Sequence, residues 1–149
     1  MERMTGAHAG RGFTLIEAVI AVALLASLVY AGSTAFLKTA PRFNLEKAVW
    51  EIRSAMNAVR YRALFEGAAY RVRFSGSAYA VDRYEESSEA WVPAGRTSLE
   101  KVSIMSNNAP VFTPEGTVTG LATITVSNAW GGYRLTLAIT GRIKTTRIG

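Results

Sequence analysis

The stretch GFTLIEAVIAVALLASLVYAGSTAFL, residues 12–37, decides how this chain is organised. From Phe13 to Leu37 it carries one charged residue, Glu17, and no proline. As a helix, these 25 residues would extend about 37 Å, which exceeds the roughly 30 Å hydrocarbon core of a bilayer. A carboxylate inside a membrane is costly, so Glu17 is predicted to have a partner and a function.

The residues before the apolar run argue against an ordinary secretory signal. Such a signal has a shorter apolar region followed by an A-x-A-like cleavage site, and no such site follows Leu37. A short basic leader, then Gly12, then Phe-Thr-Leu-Ile-Glu resembles the class III signal of type IV prepilins and type II secretion pseudopilins. In that family a prepilin peptidase cuts after the glycine and methylates the new N-terminus. The resemblance implies cleavage between Gly12 and Phe13 and methylation of Phe13.

The same resemblance gives Glu17 an assembly role. In a pilus-like fibre the N-terminal helices pack in a dry bundle, where a lone carboxylate needs a cation. The freed amine of a neighbouring Phe13 would supply that cation and set the axial register. The alternative is a plain membrane anchor with a stray glutamate. The resemblance also implies a single pass of the inner membrane, with the N-terminus cytoplasmic and the domain periplasmic.

Composition limits the function classes. The 149 residues are enough for one domain plus an anchor. The chain has no cysteine, and its one histidine, His8, lies in the leader. A processed chain would therefore lack the commonest general base and the thiol nucleophile. We expect no enzyme, no cofactor and no metal site. The net charge of +6 favours anionic partners.

The apolar run and the prepilin resemblance together imply three segments: a leader over 1–12, a membrane-spanning assembly helix over 13–37 and an exported domain over 38–149. Within the domain, apolar residues recur at helical spacing and predict an amphipathic helix over about 42–66. They are Leu45, Val49, Ile52, Met56, Val59 and Ala63. Gly67 is predicted to end this helix, and Gly32-Ser33 and Pro41 are candidate points of bending or local melting.

After Gly67 the pattern changes to the alternation of β-strands, over about 68–149. Tyr70, Val72 and Phe74 alternate with two arginines, and a Ser-Gly turn then predicts a hairpin. The segment 84–96 is acidic and turn-rich, so we expect a loop with a short strand at 90–92. Later apolar runs separated by turns predict further strands. The expected class is α+β, with one long helix packed on a mostly antiparallel sheet.

The second half adds to the family resemblance. VFTPEGTVTG at 111–120 and GGYRLTLAITGRIK at 131–144 resemble the C-terminal domain of GspH/FimT-type minor pseudopilins. That family ends on a strand followed by Gly-Arg-Val-Arg, whereas this chain has Lys144 at the last of those positions. The resemblance implies a pilin-like fold and a non-catalytic fibre subunit, located near the fibre tip. Its partners would be other pilins or pseudopilins through the N-terminal helix, prepilin peptidase and the inner membrane.

A basic C-terminal tail raises a second function. Arg142, Lys144 and Arg147 lie in a segment without acids, and such a cluster attracts phosphates. In some fimbrial members of the family this region resembles a DNA-contacting site used in DNA uptake. The alternative is a solvated terminal strand. The sequence therefore leaves open a type II secretion pseudopilus, a type IV pilus and a DNA-binding transformation pilus.

Two further clusters are candidate sites. Asp82, Glu85, Glu86 and Glu89 could hold calcium, but their spacing does not match an EF-hand, so a solvated acidic loop is expected. Arg71 and Arg73 share one strand face and could form a second basic patch. The simpler interpretation is that they are the solvated side of the sheet.

Overall fold

The structure is a computed structural model that describes residues 14–149, without the side chains of residues 34–38. Gly12 and Phe13 lie outside the described residues. The elements are α1 Leu15–Glu66, β1 Tyr70–Ser75, β2 Ala78–Glu85, β3 Ala90–Ser98, β4 Ser103–Ser106, β5 Val111–Phe112, β6 Val118–Thr119, β7 Thr123–Asn128, β8 Gly131–Leu137 and β9 Ile143–Ile148. The chain divides into two compact units, Met1–Lys38 and Thr39–Gly149.

Helix α1 is continuous at both positions where bending or melting was expected, Gly32-Ser33 and Pro41. A proline inside a helix removes one main-chain donor, which weakens that turn. Within the second unit, the Asn128 side-chain amide donates to the Pro41 carbonyl at 2.7 Å and ties this turn to the end of β7. Gly67 ends the helix with a φ of 62°, the left-handed conformation that glycine adopts at helix ends.

The predicted apolar face of the helix is the one that is buried. Leu45, Val49, Ile52, Met56, Val59 and Ala63 all belong to the core. They pack with side chains from both sheets, among them Tyr70, Phe112, Ile124 and Leu135. Complete burial of one large aliphatic side chain contributes about 1.5–3 kcal/mol. This face is therefore the main contact that holds the second half of α1 on the strands.

The strands form two antiparallel sheets where the sequence predicted one sheet. The first has the order β3-β2-β1-β5-β6 and the second the order β4-β7-β8-β9. Every strand pair described is antiparallel. The predicted α+β class and the packing of one long helix on antiparallel strands are confirmed. One edge of the first sheet is β3, and one edge of the second is β9.

The segment 84–96 is a β-hairpin rather than the predicted loop. Strand β3 spans nine residues, where only a short strand at 90–92 was expected. Pro93 and Gly95 obscured it, because both residues are rare in central strands. They are tolerated here since β3 is an edge strand with a bulge. The register shifts between Val81 and Asp82, so that Ala94 has no cross-strand partner.

Candidate functional site

The N-terminal part of α1 is an apolar helix with its side chains exposed. Leu15–Ser33 has a mean hydropathy of 2.2 and is long and apolar enough to cross a membrane. None of this span is buried against the rest of the described chain. A helix that is apolar on all sides needs lipid or other apolar helices around it. The span can therefore serve as a membrane anchor and as a surface for helix–helix contact.

Glu17 closes a capping box at the start of this helix. The main-chain N–H of Glu17 donates to Thr14 Oγ1 at 3.3 Å. In return the main-chain N–H of Thr14 and its hydroxyl each donate to Glu17 Oε2 at 3.4 Å. The spacing Thr-x-x-Glu is the sequence signature of this motif, and the sequence analysis missed it. These bonds are long, so the carboxylate retains capacity for a stronger acceptor role.

The second half of α1 has an aromatic stripe on the side away from the core, which the sequence analysis also missed. It consists of Phe43, Trp50, Tyr61 and Phe65. The steps between them are 7, 11 and 4 residues, each close to a whole number of turns at about 3.6 residues per turn. Trp50 is 68% exposed and Phe65 is 87% exposed. Exposed aromatic side chains aligned along one side of a helix are typical of an interaction site.

The three residues of the predicted basic tail do not form one cluster. Lys144 and Arg147 both lie on β9, but their odd sequence separation places them on opposite faces of the sheet. The Arg147 guanidinium stacks over the Trp130 ring at 4.2 Å from its centroid. Arg142 lies in the turn before β9, where its carbonyl accepts from the Ala138 N–H at 3.0 Å. Only Lys144 belongs to the outer face of the second sheet.

That outer face is rich in hydroxyls and cations. Lys144 pairs with Thr136, and Arg134 pairs with Thr125 on one side and Thr146 on the other. The four strands of this sheet contain no Asp or Glu. A cleft of about 630 Å³ lies on the face, lined by Met105, Ser106, Asn107, Thr123, Thr125, Arg134 and Thr136. We define these residues with Lys144 and Thr146 as the hydroxyl face, which suits an anionic polymer.

The other arginine pair is not simply the solvated side of its sheet, and Asp82 is not a loop residue. Asp82 is 1% exposed. Arg73 donates to both of its oxygens, with Nε to Oδ2 at 2.6 Å and Nη2 to Oδ1 at 2.9 Å. Arg71 adds two bonds to Oδ2, at 2.9 and 3.1 Å. The bonds from Arg73, followed by those from Arg71, hold the pKa of Asp82 below its usual value against the opposing effect of burial.

These bonds also exclude Asp82 as a ligand of the candidate calcium site. Its two oxygens are engaged by guanidinium groups, which a cation would have to displace. The described residues contain no group of three or more His, Cys, Asp or Glu side chains placed to hold a metal ion. Glu85, Glu86 and Glu89 are exposed around the turn between β2 and β3. They form a solvated acidic turn, which corresponds to the simpler of the two interpretations.

Comparison with known proteins gives one motif and one fold. The prokaryotic N-terminal methylation motif matches residues 8–29. No curated protein is significantly similar to the chain in sequence. Among solved structures, the minor pseudopilin EpsH of the type 2 secretion system of Vibrio cholerae is similar with a TM-score of 0.60 and 12% identity, over 70% of this chain and 97% of that one.

Two further structures share this fold. The type IV minor pilin FimU of Pseudomonas aeruginosa has a TM-score of 0.56 and 19% identity, over 70% of this chain and 90% of that one. GspH of E. coli has a TM-score of 0.61 and 17% identity, over 71% of this chain and 89% of that one. The chain thus has the fold of minor pseudopilins and minor pilins. Together with the methylation motif, this supports the resemblance to GspH/FimT-type minor pseudopilins.

Proposed function

We propose that this chain, with its prepilin-type N-terminal motif and its pilin fold, is a minor pilin or pseudopilin. It is a non-catalytic subunit of a type II secretion pseudopilus or a type IV pilus. Prepilin peptidase cleaves it between Gly12 and Phe13 and methylates Phe13. The methylation motif at residues 8–29 supports this processing.

The observation that carries the proposal is that α1 is apolar on surfaces its own domain does not cover. Leu15–Ser33 is exposed on all sides, and the aromatic stripe extends from Phe43 to Phe65 on the side opposite the core. Lipid can cover the span before assembly. Other fibre subunits cover both surfaces after assembly. For the aromatic stripe, which faces water before assembly, this removes apolar area from water at about 25 cal/mol per Å².

Glu17 sets the position of the subunit within the fibre. Its carboxylate pairs with the methylated amine of a neighbouring Phe13, because a buried charge needs an opposite charge in a dry helix bundle. The long capping-box bonds to Thr14 leave the carboxylate able to accept from that amine. Before assembly the subunit crosses the inner membrane once, with its domain periplasmic. As a minor subunit it takes a position near the fibre tip.

The aromatic stripe offers a direct test. Trp50→Glu places a charge in the middle of the stripe, where side chains are exposed in the free subunit. We expect the variant to fold and to insert in the membrane normally, but to be reduced at least tenfold in sheared fibres, because a charge buried at an interface is strongly unfavourable. Quantitative immunoblotting of the sheared and membrane fractions measures both pools.

Met105→Glu is the matched control for this test. Met105 is similarly exposed but lies on the hydroxyl face of the second sheet. Its replacement should leave incorporation unchanged. Equal incorporation of the Trp50 variant and the wild type would show that the stripe is not an assembly surface.

A second candidate function is DNA binding by a transformation pilus, and the hydroxyl face favours it. Arg134 and Lys144 provide cations there, and Arg142 lies at the end of the adjoining turn. Threonine and serine hydroxyls surround them, and hydroxyls and cations are common phosphate ligands. Arg147, the third residue of the predicted tail, is on the opposite face beside Trp130. In this candidate function the DNA contact is therefore centred on the hydroxyl face rather than on the tail as a whole.

The salt dependence of binding to duplex DNA tests this function. We expect three phosphate contacts, made by Arg134, Arg142 and Lys144. The logarithm of the binding constant then falls with the logarithm of the salt concentration with a slope of about −2.7, at about 0.9 per contact. The double variant Arg134→Gln with Lys144→Gln should flatten the slope by about 1.8. It should also weaken binding to unrelated DNA sequences to the same extent. Fluorescence anisotropy of the full chain in detergent micelles gives both quantities.

Two control variants test whether DNA binding is localised on the hydroxyl face. Arg53→Gln with Lys47→Gln removes the same charge from α1 and should leave the slope unchanged. Arg147→Gln should also have little effect, since this guanidinium stacks on Trp130. If the α1 pair weakens binding as much as the hydroxyl-face pair, binding is diffuse and no DNA site exists on this face.

A further inference from the structure

A second cleft lies on the outer face of the first sheet, away from α1 and from the hydroxyl face. Its volume is about 680 Å³, and it is lined by Arg73, Ser75, Ala78, Tyr79, Ala80, Asp82, Pro93, Ala94, Gly95 and Arg96. The bulge between β2 and β3 shapes it, because Asp82 pairs with Pro93 while the preceding Val81 pairs with Gly95. Bulges commonly redirect side chains at functional sites. We name this the bulge cleft.

The bulge cleft has a positive charge that the domain does not neutralise. Asp82 is the one acid among its lining residues, and it already pairs with both Arg71 and Arg73. Arg96 is exposed and makes no ion pair within the described part of the chain. The lining residues Arg73 and Arg96, with the adjacent Arg71, outnumber the one carboxylate. The net positive charge at the cleft attracts an anion.

Asp82 also fixes the orientation of Arg73. Two of the five N–H donors of the Arg73 guanidinium bind the buried carboxylate. The remaining donors are free for another acceptor, and the Arg73 side chain is 51% exposed to solvent. A guanidinium held in this way needs no reordering on binding, which favours a planar oxyanion that accepts two parallel bonds.

The walls of the bulge cleft are apolar and peptide-like. Alanines and Pro93 make up much of the lining, and the main chain of Ala94 has no cross-strand partner at the bulge. The nearby Trp91 ring is not available as a platform for stacking a base, because Arg71 covers it at 4.6 Å and Tyr84 contacts it edge-on. These features fit a carboxylate carried on a polypeptide better than a nucleic acid.

We propose that the bulge cleft binds an aspartate or glutamate side chain of an extended acidic segment from a partner protein. Arg73 and Arg96 bind the carboxylate, and Asp82 is a positioning residue that orients Arg73. The partner's apolar atoms pack on Ala80 and Pro93. This site is separate from the assembly surface on α1, so it remains open to a partner when the helix is covered.

The test uses the full chain in detergent micelles and a fluorescein-labelled hexapeptide of alternating alanine and glutamate. Fluorescence anisotropy should show saturable binding. Arg96→Gln should weaken it roughly 10- to 100-fold, the loss expected for one hydrogen bond to a charged group. Arg53→Gln, an identical change of charge on α1, should leave the affinity unchanged. The same peptide with glutamine in place of glutamate should not bind.

A second variant tests the positioning role. Asp82→Asn makes the cleft more positive, so a purely electrostatic site would bind the peptide more tightly. A site that needs an oriented Arg73 binds it more weakly, and this is the result we expect in variant protein whose circular dichroism shows it to be folded.

Tighter peptide binding by Asp82→Asn would overturn the positioning role of Asp82, and three further outcomes would overturn the site itself. The first is equal peptide affinity in the wild type and Arg96→Gln, and the second is an absence of binding to the wild type. The third is tighter binding of a hexathymidylate than of the acidic peptide, which would assign the cleft to nucleic acid.

Discussion

Glu17→Gln is expected to produce a subunit that is cleaved, inserted and folded but absent from fibres. Glutamine can accept the same N–H bonds as glutamate at the third position of a capping box, so the start of α1 is preserved. It cannot form an ion pair with a protonated amine. An amine left without its partner in a dry helix bundle would destabilise the assembled state by about 3–5 kcal/mol, the usual cost of a broken buried pair.

Glu17→Ala separates the two roles of this side chain. Alanine removes both the cap and the charge, at an added cost of about 1 kcal/mol for the cap. If charge pairing governs assembly, both variants are excluded from sheared fibres to a similar degree. If Glu17→Gln enters fibres normally while Glu17→Ala does not, the capping box is the assembly function and the pairing with Phe13 is wrong.

Removing the two arginines that neutralise Asp82 is expected to have the largest effect on stability. Arg71→Gln with Arg73→Gln leaves a buried carboxylate without an opposite charge. We expect the free energy of unfolding to fall by about 3 kcal/mol, at the lower end of the range for broken buried pairs because Arg73 is half exposed. Denaturant titration of the full chain in micelles, followed by tryptophan fluorescence, measures this difference.

Adding Asp82→Asn to the double variant is the matched control. The triple variant has no buried charge, so it should recover most of the lost stability. A triple variant as unstable as the double variant would show that packing of the arginine side chains, rather than charge, stabilises this face.

The same cluster predicts a dependence of stability on pH. The folded-state pKa of Asp82 lies below its unfolded value because Arg73 and then Arg71 bind the ionised form. The stabilisation is therefore present above the unfolded pKa of about 3.9 and is lost as pH falls through the folded pKa. We expect the wild type to lose more stability than the triple variant when the pH is lowered below about 4.

Local periodicity was sufficient to predict the buried face of α1. The six apolar positions from Leu45 to Ala63 recur at helical spacing, and that spacing alone defines one face. The division into two sheets could not be obtained in this way, because the pairing of β4 with β7 joins residues about twenty positions apart. Pairing between strands that are distant in sequence depends on which strands bury a common core. The alternation within one strand shows which of its faces is buried but not which strand is its partner.

The prediction errors at the candidate site residues have similar physical causes. Asp82 lies near the end of strand β2, shortly before three glutamates. Composition therefore grouped it with an acidic loop, although its two arginine partners lie across a hairpin. The residues of the aromatic stripe also recur near whole helical turns, but the sequence analysis used this spacing only to predict the buried face of α1. Arg147 was grouped with Lys144 by sequence distance, although strand alternation places the two on opposite faces.

Processing of the N-terminus can be tested by the mass of the mature chain isolated from membranes of cells that express prepilin peptidase. We expect a chain that begins at Phe13 and is heavier by one methyl group at its N-terminus. Gly12→Val should retain the whole leader, because the peptidase cleaves after a glycine. A wild-type chain that keeps residues 1–12, or one that is cut after Leu37, would contradict the proposal that this protein is a pilin-type subunit.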